Sequence, residues 1–198
     1  MDGVNEYLEG ISRACAQISR EEIENVVNVL FDAWRRDATI FIFGNGGSAA
    51  TASHMATDLN KQASVAGARR IRALALTDNM SLVTAWGNDS SFQNVFAEQM
   101  LNFLKAGDVA VGISTSGESP NVIEAIRLAR AHEAHTVALT GPRASTLSGI
   151  SEWCIHGPAD DIGQQEDLHL ILNHTITGAL RRRILKDSGQ PDTHATRT

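Results

Sequence analysis

The sequence predicts an α/β fold in which a five-stranded parallel sheet is sandwiched by helices. Five short apolar runs recur along the 198 residues, and helical patterns alternate with them. The connections between them are short, which is typical of strand–helix–strand units whose strands are buried on both faces. The predicted strands are residues 39–43, 71–76, 109–113, 136–139 and 153–155.

Two amphipathic helices precede the first predicted strand. In the second of them, Ser19 and Glu22 have the spacing of a capping box ahead of an apolar face. Neither helix has a strand of its own to cover, so we expect residues 1–36 to serve in association between copies of the chain. Packing on the sheet of the same chain is the alternative. The apolar stripe of the first helix is Val4, Leu8, Ile11, Cys15 and Ile18.

The chain reads as one domain over residues 1–186. Its last predicted helix covers 165–185 and carries apolar residues at helical spacing. Residues 187–198 are polar and contain Gly and Pro, which predicts a disordered tail.

Composition and charge exclude several classes of partner. A net charge of −6, from 17 Lys and Arg against 23 Asp and Glu, argues against broad binding to nucleic acid or an anionic membrane. Cys15 and Cys154 are too few for a disulfide framework, which suits a reducing cytosol. The first ten residues are acidic and polar, unlike a signal peptide, and no apolar stretch approaches the ~20 residues that span a bilayer. We expect a cytoplasmic protein.

Two strand-to-helix loops carry the signal for a ligand. The first predicted strand leads into Gly44-Asn45-Gly46-Gly47-Ser48, and the third into Ser114-Thr115-Ser116-Gly117-Glu118-Ser119, with Pro120 opening a helix. In open parallel sheets, ligands bind beyond the carboxyl ends of the strands, where helix N-termini present unpaired amides. Glycines and hydroxyls there would hold a phosphate without a basic patch.

The identity of the phosphate ligand has alternatives. Gly44, Gly46 and Ala49 permit a dinucleotide fingerprint, with Asp78 as the acid for a ribose. The hydroxyl-rich second loop has no place in a hydride-transfer scheme, and no Gly-Lys-Ser/Thr follows either loop, which excludes a P-loop. A small phosphate ester held between both loops is the better account.

Histidines and carboxylates lie on the helices next to these loops. His54 and Asp58, four residues apart, share one face of the helix that follows the first loop. Two His and two carboxylates suit a divalent ion such as zinc, and a carboxylate beside an imidazole also moves protons without a metal. The late helix offers Glu166, Asp167, His169 and His174, whereas His132, His135, His156 and His194 have no partner at a useful spacing.

Taken together, these motifs resemble the sugar isomerase (SIS) domain family and, within it, the phosphoheptose isomerases. The resemblance rests on Phe43-Gly-Asn-Gly-Gly-Ser48, His54 with Asp58, Gly87-Asn88-Asp89, and Gly112-Ile-Ser-Thr-Ser-Gly117 with Ser119. It runs from the leading helices to about Arg183. It implies a single SIS domain with a flavodoxin-like or Rossmann-like sheet, in a homotetramer whose active sites include residues of neighbouring subunits.

The resemblance also implies a role for each matching residue. Asp58 and His174 are the expected catalytic pair, and a divalent metal, most simply zinc, is expected on His54, Asp58, Glu166 and His174. No nucleotide cofactor is implied. The residues expected to bind the phosphorylated sugar are Asn45, Gly46, Gly47, Ser48, Asp58, Asn88, Asp89, Ser114, Thr115, Ser116, Ser119 and Glu166.

The function implied is aldose–ketose isomerisation of a phosphorylated sugar, with sedoheptulose 7-phosphate as the expected substrate, through an enediol. Two residues depart from the family pattern: Asp58 stands where a Glu is usual, and Glu166 stands where a Gln is usual. The alternative is a non-catalytic SIS protein that binds the replication initiator or senses a sugar phosphate. The retained His54, Asp58 and His174 favour the enzyme.

Overall fold

The computed structural model describes residues 2–191, and they contain the predicted parallel sheet. Its strand order is β2-β1-β3-β4-β5, and every pairing is parallel. Each strand boundary lies within one residue of its predicted position. The order reverses between β1 and β3, the switch point at which flavodoxin-like sheets bind ligands. The strands are β1 Thr39–Gly44, β2 Arg72–Ala75, β3 Val109–Ser114, β4 His135–Thr140 and β5 Trp153–His156.

Helices cover both faces of this sheet. The helices α2, α3 and α8 pack on one face, and α5, α6 and α7 pack on the other. A five-residue π-helical segment, Asp58–Gln62, continues α3 directly, and a short 3₁₀ turn, Phe92–Asn94, precedes α5. The helices are α1 Asp2–Gln17, α2 Arg20–Arg36, α3 Gly47–Thr57, α4 Met80–Asp89, α5 Val95–Leu101, α6 Pro120–Ala131, α7 Thr146–Ile150 and α8 Ile162–Asp187.

The two cores follow from the alternation of side chains along the strands. In β1, Ile40 and Ile42 join the core under α2, α3 and α8, and Phe41 and Phe43 join the opposite core. All four side chains are fully buried. Burial of each one contributes about 1.5–3 kcal/mol, so β1 anchors the loop that follows it.

Side chains cap backbone groups at both edges of the sheet. At β2, Asn60 Nδ2 donates to the Ala73 carbonyl at 2.8 Å, and its Oδ1 accepts from the Ala73 amide at 3.2 Å. At β5, the His156 amide donates to Glu22 Oε2 at 3.2 Å. Capped edges resist pairing with strands of other chains.

Contacts near this edge of the sheet differ from two expectations drawn from the sequence. The Ser19 hydroxyl accepts from the Glu22 amide as predicted, but the Glu22 carboxylate binds His156, so only half of the capping box forms. The expectation that His135 and His156 lack partners is wrong, since His135 pairs with Glu152 and His156 with Glu22. Partners distant in sequence are not visible as spacing. His194 lies outside the described residues.

The two leading helices differ in what they cover. Helix α2 buries its apolar face on the sheet of its own chain. Helix α1 lies against α8 through Ala14 and, directly after its last residue, Ile18, while the first half of its predicted stripe faces outward, with Val4 66% and Leu8 63% exposed. A role in association between copies therefore stays a prediction, and only α1 retains a free apolar face for it.

The end of α8 and the residues just after it contact the rest of the domain. Helix α8 ends at Asp187, and the Gln190 side chain donates to the Ala66 carbonyl. The rest of the predicted tail, 192–198, lies outside the described residues. Over residues 2–191 no helix is both long and apolar enough to cross a membrane.

Candidate active site

His54, Asp58 and His174 meet within one chain. His54 Nε2 lies 3.3 Å from His174 Nε2, and these two atoms lie 3.4 and 3.6 Å from Asp58 Oδ2. The two imidazoles are about half exposed, while Asp58 is only 6% exposed. The donors therefore form a small cluster with a buried acid at its base and accessible histidines at its mouth.

The change from α-helix to π-helix places Asp58 at the base of the cluster. The α3 helix ends at Thr57, and the Ala63 amide donates to the Asp58 carbonyl at 2.9 Å, a bond that spans five residues. A π-turn adds a residue to the turn and redirects the side chains around it, and such turns are frequent at functional sites. The spacing of His54 and Asp58 predicted their shared face but gave no sign of this turn.

The spacing of the three donors fits a divalent cation. Metal–donor bonds of about 2.0–2.1 Å in a tetrahedral site put neighbouring donors about 3.3–3.4 Å apart. The observed separations of 3.3, 3.4 and 3.6 Å are close to that spacing. His54, Asp58 and His174 are thus three ligands that can hold a metal ion.

Serine hydroxyls gather at the carboxyl end of β3. Ser114 Oγ lies 3.4 Å from Ser116 Oγ and 3.1 Å from Ser119 Oγ. Ser119 is the N-cap residue of α6, yet its hydroxyl makes no capping bond and instead contacts Ser114 Oγ. Gly117 turns this loop with φ +65°, and a Cβ there would lie 2.0 Å from Ser145 Oγ. Three hydroxyls beside a helix N-terminus form a cradle for an anion.

The loop after β1 faces this cradle and is tied to it. Asn45 and Asn121 exchange two side-chain hydrogen bonds, both of 2.8 Å, which join the loop to the first turn of α6. Gly46 has φ +55° with open space at its Cβ position, so the backbone there can lie close to a ligand. Asn121 was missed by the sequence reasoning. Its position directly after Ser119-Pro120 was the available signal.

The start of α8 lies across both loops. A Cβ on Gly47 would lie 2.2 Å from Glu166 Oε1, and a Cβ on Gly141 would lie 2.6 Å from Gln165 Oε1. Gly141 in turn donates its amide to the Thr115 carbonyl at 2.9 Å. Glu166 is therefore at the first loop, and within residues 2–191 it does not join the His54, Asp58 and His174 group, so its role as a metal ligand stays a prediction.

An open cleft of about 330 Å³ lies between the second loop and α8. Thr115 and Ser116 line it on one side and Gln165 on the other. Arg143, after β4, also lines this cleft, so a cation stands beside the hydroxyl cradle. The sequence reasoning gave the loop uncharged donors alone, because nothing in the spacing of Arg143 brings it next to β3.

The remaining predicted sugar-binding residues are placed differently. Ser48 is buried in the first turn of α3. Asn88 and Asp89 end α4 on the surface, where Asn88 Nδ2 donates to Asp89 Oδ1 at 2.7 Å. In the part of the chain that the structure describes, no hydrogen bond brings these two side chains to the loops. Their predicted role stays a prediction.

Comparisons with known proteins show the family of this chain. The SIS domain pattern matches residues 6–141. The chain belongs to the SIS domain family. It is 36% identical over 163 residues to the phosphoheptose isomerase of Akkermansia muciniphila, covering 82% of this chain and 86% of that one. It is also 36% identical over 170 residues to a probable phosphoheptose isomerase of Thermoplasma acidophilum, covering 86% and 93%.

A solved structure extends the comparison to three dimensions. The phosphoheptose isomerase of Neisseria gonorrhoeae superposes on this SIS domain with a TM-score of 0.83 at 30% identity, covering 91% of this chain and 96% of that one. The similarity thus includes the leading helices and α8 as well as the sheet. This SIS protein is an enzyme, an aldose–ketose isomerase of phosphosugars.

Proposed function

We propose that the protein converts sedoheptulose 7-phosphate into a D-glycero-D-manno-heptose 7-phosphate through an enediol. The observation that carries the proposal is the meeting of His54, Asp58 and His174 in one cluster, on helices that follow or cross the two ligand loops. The names of the relatives support a heptose phosphate, and the paired loops support a phosphorylated ligand.

The phosphate binds at the hydroxyl cradle. Ser114, Thr115, Ser116 and Ser119 donate to its oxygens, and Arg143 adds a positive charge at the same cleft. An anchored phosphate orients the reacting carbons, so binding energy remote from C1 and C2 contributes to the rate. The sugar chain then lies along the first loop, with Asn45, Gly46, Gly47, Ser48, Asn88, Asp89 and Glu166 as its proposed contacts.

Asp58 and His174 move the protons. One carboxylate oxygen of Asp58 faces the imidazoles, while Oδ1 makes no hydrogen bond within residues 2–191 and is free to take the C1 proton. When no metal ion is bound at its Nε2, His174 gives a proton to the C2 oxygen as the carbonyl becomes a hydroxyl, and takes one from the C1 oxygen. The proton on Asp58 returns at C2, which gives the aldose with no net change in protons or electrons.

His54, Asp58 and His174 would hold a zinc ion, with Glu166 as the proposed fourth ligand. A divalent ion bound there polarises the carbonyl and stabilises the charge of the enediolate. His54 contributes to the site through this binding alone.

We also propose an oligomeric state and a cellular location. The exposed stripe of α1 and the surface position of Asn88 and Asp89 support a homotetramer in which neighbouring subunits complete each active site. A cytoplasmic location suits the reduced cysteines, Cys15 and Cys154. Nucleic acid and membranes are not proposed as partners.

The test is to incubate the purified protein with ketose phosphates of five to seven carbons in D₂O and to follow the aldose by NMR. We expect turnover of sedoheptulose 7-phosphate with deuterium entering the product at C2. Asp58→Asn keeps the side-chain shape but removes the base, so exchange of the C1 proton should fall by 10²–10⁴-fold while the fold is kept. Exchange at the wild-type rate in this variant would remove Asp58 as the base.

The same panel decides between the enzyme and its alternative. Saturable binding of a sugar phosphate without any aldose would favour a non-catalytic SIS protein. A second arm adds a chelator and then restores zinc. Full activity in chelator would leave an acid–base site that works without a cation.

A further inference from the structure

Asn173 is a fully buried polar residue that touches the candidate active site. It lies in α8 directly before His174, in a helix whose other inward side chains at this level, Leu172 and Ile176, belong to the apolar core. Its Nδ2 donates to Asp58 Oδ2 at 2.9 Å. A buried amide costs free energy unless it is hydrogen-bonded, so an Asn at this depth needs a partner.

The hydrogen bond from Asn173 is accepted by the Asp58 oxygen that lies next to both imidazoles. Asp58 Oδ2 is the atom that lies 3.4 Å from His54 Nε2 and 3.6 Å from His174 Nε2. Behind Asn173, the buried Thr177 hydroxyl lies 3.4 Å from Asn173 Oδ1 and faces it as a donor. The amide is therefore oriented with its NH₂ group toward the carboxylate.

We propose that Asn173 is the positioning residue for Asp58, holding its carboxylate in the one rotation that makes His54, Asp58 and His174 a single cation-binding face. The short side chain of Asp58 reaches the imidazoles because Asn173 holds Oδ2 between them. Hydrogen bonds to ligating carboxylates tune metal sites, and their loss costs 10–100-fold in metal affinity. The inference rests on the proposed function for its chemistry, but its test does not depend on catalysis.

The first experiment measures zinc affinity of the full chain by competition with a chromophoric chelator. Asn173→Leu fills the space without a donor, and Asn173→Ala leaves the space empty. We expect both variants to bind zinc 10–100-fold more weakly than the wild type. With Co²⁺ in place of zinc, we expect the visible absorption band to change in both, because one ligand is no longer held.

Two control variants separate the hydrogen bond from packing. Leu172→Ala opens a cavity beside Asn173 in the same helix, and Thr175→Ala changes an exposed residue two positions further on. Both should keep the wild-type zinc affinity and cobalt spectrum. Should Asn173→Leu fail to fold, Asn173→Ala compared with Leu172→Ala gives the same decision.

A double-mutant cycle tests the match between Asn173 and Asp58. Glu at position 58 is one methylene longer and would compete for the space of the Asn173 amide, so Asp58→Glu should weaken zinc binding in the wild type. In the Asn173→Ala background the same change should cost at least fivefold less, because no amide remains to be displaced and the space is empty. Additive effects, unchanged affinity in Asn173→Leu, or a wild type with no saturable zinc binding would each overturn the inference. An inactive wild type that still shows the expected affinities would count against the isomerase alone.

Discussion

At the scale of single residues, Ser114, Ser116 and Ser119 of the second loop carry hydroxyls whose presence is not fully explained by hydrogen bonds that shape the loop. Ser114 Oγ accepts from the Gly117 amide at 3.1 Å and so shapes the turn. Ser116 is exposed, and its hydroxyl accepts from the Glu118 amide at 3.2 Å while its own proton stays free. Ser116 is thus the hydroxyl that can be removed with least effect on the fold.

Ser116→Ala should raise KM for the phosphorylated sugar roughly tenfold with little change in kcat. One hydrogen bond to a charged group contributes about 1.5 kcal/mol, and this bond is made equally in ground and transition states. Steady-state kinetics of the variant beside Ser188→Ala, a change at the far end of α8, is the measurement. An unchanged KM would remove Ser116 from the cradle.

The same residues show how far sequence reasoning reached. Asp58 and His54 were paired by their spacing on one helix, and the serines by their place after a strand. Asn173, Asn121 and Arg143 were missed because each lies beside residues that are distant in the sequence. The Asn173–Asp58 bond joins residues 115 apart, and no local pattern marks it.

Among the elements, α8 contributes Glu166, Asn173 and His174 to the site, and α1 contacts its first turns. Tyr7 Oη donates to Asp167 Oδ2 at 2.8 Å, and this hydrogen bond raises the pKa of Tyr7 to about 12. Gln164 Nε2 donates to the Tyr7 carbonyl at 3.2 Å, and its amide packs against Gly10. The sequence predicted both helices but placed α8 three residues late, since Ile162 and the Asp161 cap precede the apolar pattern.

Buried His169 in α8 makes the stability of the fold depend on pH. Its Nε2 donates to the Thr140 carbonyl at 3.1 Å, and Nδ1 is buried without a partner in the part of the chain that is described. Burial lowers the pKa of His169 below its ordinary value, although the bond to Thr140 opposes the shift. The unfolded chain therefore takes up this proton at a higher pH than the folded one does.

Stability should therefore fall on acidification as the pH drops below about 6.5, the ordinary His value, toward the lowered pKa of the folded state. His169→Gln keeps an amide donor for Thr140 and cannot titrate. The difference in melting temperature between wild type and variant, followed from pH 8 to pH 5, should be constant at the alkaline end and shift in favour of the variant below pH 6.5. A parallel pair of curves would show that His169 does not titrate on unfolding.

At the level of the whole molecule, the start of α1 is one of the places where large apolar side chains stay exposed. The sheet is covered on both faces and capped at both edges, so its apolar side chains are buried within one chain. The first half of the α1 stripe has no such cover among the described residues, with Val4 and Leu8 both more than 60% exposed. The helical spacing of apolar residues predicted this stripe, and a second copy of the chain as its partner stays a prediction.

Leu8→Glu tests whether a second copy of the chain lies there. If the stripe is an interface, a buried charge should split a tetramer into smaller species, since an unpaired charge inside an apolar contact is costly. Gln17→Glu is the matched control, because nine residues along a helix place it about 180° away from Leu8. Light scattering after gel filtration should give four times the chain mass of 21.3 kDa for the wild type and for Gln17→Glu, and less for Leu8→Glu.

If neighbouring subunits complete the active site, activity should fall in step with the loss of the tetramer and return at high protein concentration. A wild type that is already monomeric and fully active would show instead that each chain carries a complete site.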